Sequence, residues 1–280
     1  TIKIDGILDE ESWITAPAAD EFIQQRPYNG SPASLPTQVR FLYDNSGLYI
    51  GALMYDPSPD SILKQLGLRD SDNLNADFFT FMVSPFDDGL NAFAFRVYAS
   101  DVQTDYKVSS ESDFHIDESW DAVWQSKARI NSQGWVVEMK IPYSAIRFSK
   151  KDIQTWGMNC QRDIRRTREL SSWNFIDAKV RGIVNQSGLL LGISGIKPPL
   201  RLSLTPYVSG YAEKNPDYKE WQFSYNYGAD LKYGINQSFT LDMTLIPDFG
   251  QVQSDDKIYN FSPFEIHYSE KRQFFTEGVE

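Results

Sequence analysis

A chain of 280 residues with 41% hydrophobic side chains has the material for a sizeable core, which excludes disorder throughout. Its formal net charge of −11 speaks against a nucleic-acid surface, because neutralising phosphates takes a clustered excess of Lys and Arg. Aromatic residues make up 14%, and 14 Pro with 17 Gly punctuate short segments rather than long helices, so the composition predicts an all-β protein.

The opening TIKIDGILDEESWITAP reads as a short strand, an Asp5-Gly6 turn and a brief helix that Asp9 caps and whose Trp13 points inward. After a Pro-rich link, Val39, Phe41 and Tyr43 alternate up to the turn Asp44-Asn45-Ser46-Gly47, and Leu48, Ile50, Ala52 and Met54 alternate away from it. That is a first hairpin. A helix of one or two turns is expected over 58–66. The acidic run of Asp70, Asp72, Asn73, Asn75 and Asp77 then offers hard oxygen ligands suited to Ca²⁺, without the Gly and terminal Glu of an EF-hand loop. A solvated loop with Asx-turns is the plainer reading, and no other cofactor is implied.

The stretch NADFFTFMVSPFDDGLNAFAFRV, from Asn75 to Val97, is the organising hairpin. Side chains alternate across a strand, so Phe79, Phe81 and Val83 share one face with Phe93, Phe95 and Val97. That face is core. The opposite face carries Phe78, Thr80, Met82, Ala92, Ala94, Arg96 and Tyr98, a mixture of aromatic, small and hydrogen-bonding groups. It suits a sheet on which something other than a second sheet lies.

A further hairpin follows Trp120, with Trp124, Ala128 and Ile130 facing Trp135, Val137, Met139 and Ile141 across a turn at 131–134. Pro142 ends the ladder, one helical turn is expected over 143–148, Trp156, Met158 and Cys160 mark another strand, and SSWNFI from Ser171 to Ile176 is strand-like. The basic cluster Arg162, Arg165, Arg166 and Arg168 reads as a solvated strand edge paired with Asp163 and Glu169. Cys160, the one cysteine, reads as a small buried hydrophobe. His115 and His267 have no Ser or Cys nucleophile in a recognisable setting, and a pair of glycosidase carboxylates cannot be picked from 38 acidic residues, so no catalytic residue is assigned.

The texture changes after Lys197-Pro198-Pro199, and a boundary is placed there, dividing 1–197 from 198–280. Beyond it Leu202, Leu204 and Val208, then Trp221 to Tyr233, then Phe239 to Leu245 alternate strictly between apolar and polar residues. Dyad alternation with aromatic ends is the pattern of a transmembrane β-barrel, and a soluble meander fits it too. No apolar run reaches the roughly 18 residues of a membrane helix. The start at Thr1, without Met, suggests a mature or excised piece of something longer.

The blocks IDGILDEESW, DFFTFMVSPFDDGLNAFAFRV, WDAVW, GWVVEMKIPYSAIRF and TWGMNCQRDIRR together resemble the family 9 carbohydrate-binding-module-like domains. The later LIPDFGQVQSDD and FSPFEIHYSEKRQFFTEG resemble the start of the outer-membrane barrel region that follows such a domain in large bacterial proteins. The resemblance implies an immunoglobulin-like or jelly-roll β-sandwich over 1–197 with a β-strand extension over 198–280. It implies a glycan or oligosaccharide partner, export to the periplasm or outer membrane of a Gram-negative bacterium, and a link to carbohydrate catabolism. Any enzyme label would be that of a hydrolase acting on O-glycosyl bonds, by association. In the sugar-binding members two Trp rings clamp a sugar end while Glu, Arg and Asn bond its hydroxyls. Alignment on Asp77 puts Thr80 at the Glu position, Leu74 near one clamping Trp, Arg96 at the Arg and Tyr98 at the Asn.

Of the seven Trp, Trp13, Trp124, Trp135 and Trp156 have apolar partners at strand or helix spacing, Trp173 is ambiguous, and Trp221 belongs to the membrane-like segment. That leaves Trp120 as the sugar platform beside Arg96, Tyr98 and Thr80, with burial as a core ring the alternative. The rival to glycan binding is a structural periplasmic or plug-like domain that binds no sugar.

Overall fold

The computed structural model describes residues 2–71, 73–110, 115–118, 120–198, 202–214, 221–235 and 239–246. The chain divides into two compact units, Thr1–Pro199 and Leu200–Glu280. In chain order the first contains α1 (Glu11–Thr15), β1 (Ala18–Ala19), β2 (Ile23–Arg26), β3 (Thr37–Tyr43), β4 (Gly47–Tyr55), β5 (Phe78–Ser84), β6 (Asn91–Tyr98) and β7 (Gln103–Ser109). Then come β8 (His115–Asp117), β9 (Gln125–Asn131), β10 (Gly134–Pro142), β11 (Ile153–Ile164), β12 (Glu169–Ser172) and β13 (Gly188–Ser194).

These strands form two sheets. One has the order β1-β3-β4-β10-β9, and the other β2-β12-β11-β5-β6-β7-β8, with β13 also pairing β11. The unit is an all-β sandwich whose core lies between them. The organising hairpin pairs Phe81 with Phe95 and Phe79 with Val97, which puts their side chains on the inner face. There Phe79, Phe81 and Phe95 meet Trp135, Val137, Met139, Ile50 and Met54 of the other sheet, all fully buried. Phe93 is partly buried against the same core.

Two glycines mark close approaches. Gly134 opens β10 at φ +142°, and a Cβ there would meet the carbonyl oxygen of Met54. Gly51 leaves room on the outer face of the first sheet for Leu8 and Trp13. Trp13 is buried there rather than between the sheets, and its indole N–H donates to Glu138 Oε1 at 3.0 Å. Glu138 Oε2 accepts the backbone N–H groups of Asp5, Gly6 and Ile7, so one buried carboxylate ties the amino-terminal segment down. Burial raises the pKa of Glu138, and those donors oppose the shift.

Several local expectations need correction. The opening TIKI forms no strand among its described residues, and α1 begins after Glu10 with no side-chain cap, so Asp9 does not cap it. The helix expected over 58–66 is one 3₁₀ turn, Pro59–Ser61, and the turn after Pro142 is Tyr143–Ala145. The strand-like SSWNFI shortens to the end of β12.

The larger correction concerns Arg162. It is not on a solvated edge but fully buried, continuing the inward series Trp156, Met158 and Cys160 along β11. Its guanidinium donates to Pro36 O at 2.9 Å, Thr37 Oγ1 at 3.1 Å and Tyr55 O at 2.8 Å. Of the cluster's other members, Arg166 chelates the buried Asp56 at 2.6 and 2.9 Å. Burial alone would raise the pKa of Asp56; the bonds from Arg166 and the Ser58 N–H, with the nearby guanidinium charges, hold it below its ordinary value. Cys160 is buried and free, and burial pushes its thiol far above the ordinary range.

The second unit's described strands are β14 (Leu202–Glu213), β15 (Gln222–Gly234) and β16 (Thr240–Leu245), an antiparallel meander in the order β14-β15-β16. The register pairs Val208 with Tyr227, Leu204 with Leu231 and Leu202 with Tyr233, and continues Leu231 to Met243 and Tyr233 to Leu241. One face is therefore continuously apolar. The other carries Ser203, Thr205, Asn226, Asp230, Lys232 and Thr244. Phe223, Tyr225 and Val208 on the apolar face are exposed.

Candidate functional site

The outer face of the second sheet holds a cavity of about 790 Å³. Strands β5, β6, β7 and β11 make its floor, and the segments around Asn29, Leu74 and 176–183 make its walls. The register explains the floor. Thr80 pairs with Arg96 and Arg96 with Thr104, while Ala94 pairs with Tyr106, so Thr80, Arg96 and Tyr106 all point away from the core. Ala94 is the small residue of this floor.

Arg96 is the centre of this floor. Its guanidinium carbon sits 4.1 Å from the Phe78 ring centroid and 5.1 Å from that of Tyr106. Its Nε donates to Thr80 Oγ1 at 3.1 Å, and Nη2 donates to the Tyr106 hydroxyl at 2.7 Å. Burial works against the charge, yet the Tyr106 and Tyr98 hydroxyls beside it raise the pKa, so the group stays protonated. No carboxylate ion-pairs with it among the described residues. Asp163 lies on the same sheet face, buried, with Oδ2 accepting from Arg26 at 2.9 Å and Oδ1 lacking a partner. Burial raises the Asp163 pKa, and Arg26 opposes the shift.

The structure brings Thr80, Arg96 and Tyr98 onto this one surface, and Leu74 joins them in the wall. Thr80 and Tyr98 are covered, at 1% and 2% exposure, with Tyr98 packed against Ala76, Val102 and the edge of Phe78. Arg96 is the member open to a ligand. Trp120 does not belong to the surface, which corrects its placement as the platform. It lies on the opposite side of the sheet, 9% exposed, with its ring 4.9 Å from Phe93 and 5.8 Å from Phe95. Asp105 explains the inward turn: its carboxylate accepts the Ala122 N–H and the Trp124 indole N–H, each at 2.8 Å, pinning the approach to β9 over the core.

Two participants escaped the sequence reading. Tyr106 was legible in principle, since Thr104, Tyr106 and Val108 alternate along β7. The 176–183 wall has no periodic signal and is placed by long-range bonds, such as Asn29 Nδ2 to Ile176 O at 2.8 Å. The described aspartates of the acidic run are engaged separately. Asp70 Oδ2 accepts from Arg69, Asp77 is buried beneath the Arg165 N–H, and Asp72 lies outside the described residues. Among the described residues no group of three or more His, Cys, Asp or Glu could hold a metal. His267, and the side chain of His115, also lie outside them.

A family described as a domain of unknown function (DUF5916) matches residues 198–280. No curated protein matches the chain. Among solved structures, the chain is similar to a carbohydrate binding module family 9 from Caldicellulosiruptor kristjanssonii in complex with cellotriose. There the identity is 16%, the match covers 71% of this chain and 91% of that one, and the TM-score is 0.48. The module in complex with glucose matches at 14% identity, over 71% and 93%, with a TM-score of 0.49.

Proposed function

We propose that the first unit is a non-catalytic carbohydrate-binding module whose glycan lies in the cavity on the outer face of the second sheet. One observation carries this reading: a ring-lined concave floor in which Arg96 is held rigidly between Phe78 and Tyr106. Sugars present flat C–H faces that pack on apolar and aromatic surface and hydroxyls that need directed partners; here Phe78 is the half-buried ring and Arg96, stacked on it, the directed donor, with Tyr106 buried behind them. Hydrolysis is not favoured, because glycosidases use two carboxylates across a cleft. Asp177 is the one carboxylate lining the cavity among the described residues, and its Oδ1 already accepts the Lys179 N–H at 2.9 Å.

An oligosaccharide array followed by calorimetry tests the reading. The full chain is expected to bind at least one oligosaccharide, and Arg96→Met to weaken that binding about tenfold or more, the equivalent of one lost charge-assisted bond. A chain that binds no glycan on the array returns the unit to a purely structural role, periplasmic or plug-like.

A second proposal concerns Leu200–Glu280, and the two-faced meander supports it. Strands of 12 and 13 residues with one wholly apolar face, Phe223 and Tyr225 exposed upon it, fit the lipid-facing wall of an outer-membrane barrel. Export to the periplasm or outer membrane and a role in carbohydrate catabolism belong to the same proposal. Expressed from its full gene, the protein is expected in the outer-membrane fraction and to resist extraction by salt. Recovery in the soluble periplasmic fraction would remove the barrel reading.

A further inference from the structure

We infer that the glycan this cavity takes carries anionic groups, uronate carboxylates or sulfate esters. The inference rests on the carbohydrate reading and specifies its ligand. The charged residues that line the cavity are Arg26, Arg96, Arg165, Lys179 and Arg181 against the single acid Asp177. This is the reverse of the whole chain, whose formal net charge is −11. Arg26 is matched by Asp163, Asp177 is engaged by a backbone N–H, and Arg181 has contacts of its own. Arg96, Arg165 and Lys179 have no carboxylate ion-paired with them among the described residues.

A site for neutral sugar needs acceptors as much as donors, since every hydroxyl both gives and receives a hydrogen bond. The cationic groups here can only donate, and of the neutral acceptors in the lining Thr80 Oγ1 and Asn29 Oδ1 are already engaged, by Arg96 and the Ala178 N–H. Arg165 and Lys179 are exposed at the rim while Arg96 is partly open on the floor, so an incoming chain meets positive charge at both levels. Asp163, buried on the same face and paired with Arg26, offsets part of this charge, while the more distant acids of the protein are largely screened beyond about 8–10 Å at physiological ionic strength. Guanidinium groups also match the planar geometry of a carboxylate and the oxygens of a sulfate with paired N–H donors.

The test titrates the full chain with oligomers of galacturonate, glucuronate and mannuronate, with the methyl ester of each, and with a sulfated galactan oligomer beside its desulfated form. At least one acid or sulfated oligomer is expected to bind about tenfold or more tightly than its neutral counterpart. That affinity is expected to fall as salt is raised. The Arg165→Gln, Lys179→Gln double variant should lose about tenfold of the anionic affinity with an unchanged melting temperature, because both side chains are exposed. Uronate winning over sulfate, or the reverse, decides between the two sources of charge. Equal binding of acid and ester would overturn the inference and leave the carbohydrate reading standing, and so would anionic binding that the double variant does not change. Failure of every oligomer, charged and neutral, removes the carbohydrate reading and the inference with it.

Discussion

Arg162→Met is expected to cost about 3–5 kcal/mol of stability at neutral pH, the usual penalty for removing one partner from a buried charged network. Met nearly fills the volume, so the cost comes from polar groups left behind. Pro36 O, Tyr55 O and Thr37 Oγ1 lose their donor, and the buried Asp77, Asp56 and Glu169 lose a neighbouring positive charge, Asp56 keeping its pair with Arg166. Burial pulls the pKa of Arg162 down to about 10 against the attraction of those three acids, so the guanidinium is charged at neutral pH.

Asp77 gives this prediction a pH signature. Burial raises its pKa from 3.8 to about 6, with the Arg165 N–H and the charges of Arg162 and Arg166 opposing the rise. A carboxyl whose folded pKa lies above its unfolded value contributes stability fully below pH 3.8, and that contribution is lost as pH climbs through about 6. Removing Arg162 lifts the Asp77 pKa further. The variant's deficit is therefore expected to be larger at pH 7 than at pH 5, where a protonated Asp77 no longer needs the guanidinium. Urea unfolding of wild type, Arg162→Met and the double variant with Asp77→Asn at both pH values measures it. A deficit under about 1 kcal/mol at pH 7, or one of equal size at both, would show that Arg162 does not compensate buried acid.

Alternation placed Phe79, Phe81, Phe95, Trp135 and Trp156 on inner faces, because a strand's period of two leaves no other choice once one face is buried. The same rule, extended by one step from Cys160, puts Arg162 inside. Residue type overrode the period, since an arginine is rarely buried unless paired, and its partners Pro36 and Tyr55 lie far away in sequence. The mixed face of the organising hairpin was legible for a similar reason: Thr80, Arg96 and Tyr98 fall opposite the core phenylalanines. What covers that face was not legible, because the 176–183 wall arrives through tertiary contacts.

Trp120→Ala is expected to lower stability by about 3–5 kcal/mol, the range for truncating a buried large aromatic ring. In a unit of this size that is a fall in melting temperature of roughly 10 °C, at about 2–4 °C per kcal/mol. Trp120 lies before β9, yet the period of two runs through it, with Trp120, Ala122 and Trp124 buried and Asp121, Val123 and Gln125 exposed, so alternation places it with Trp124 and what remains is how a segment outside any strand ladder is held there. Asp105 decides it: the bonds to Ala122 N–H and Trp124 Nε1 hold the segment over the core edge, where the Trp120 ring meets Phe93 and Phe95 and cannot reach the cavity across the sheet. Trp120→Phe should recover part of the loss, since a ring still fills the site. Oligosaccharide affinity, measured well below the melting temperature of each variant, should be unchanged in both. Arg96→Met should show the opposite profile, with affinity lost and most of the stability kept. If Trp120→Ala instead kept its melting temperature and lost its affinity, Trp120 would be a ligand platform, and the cavity on the outer face would not be the sugar site.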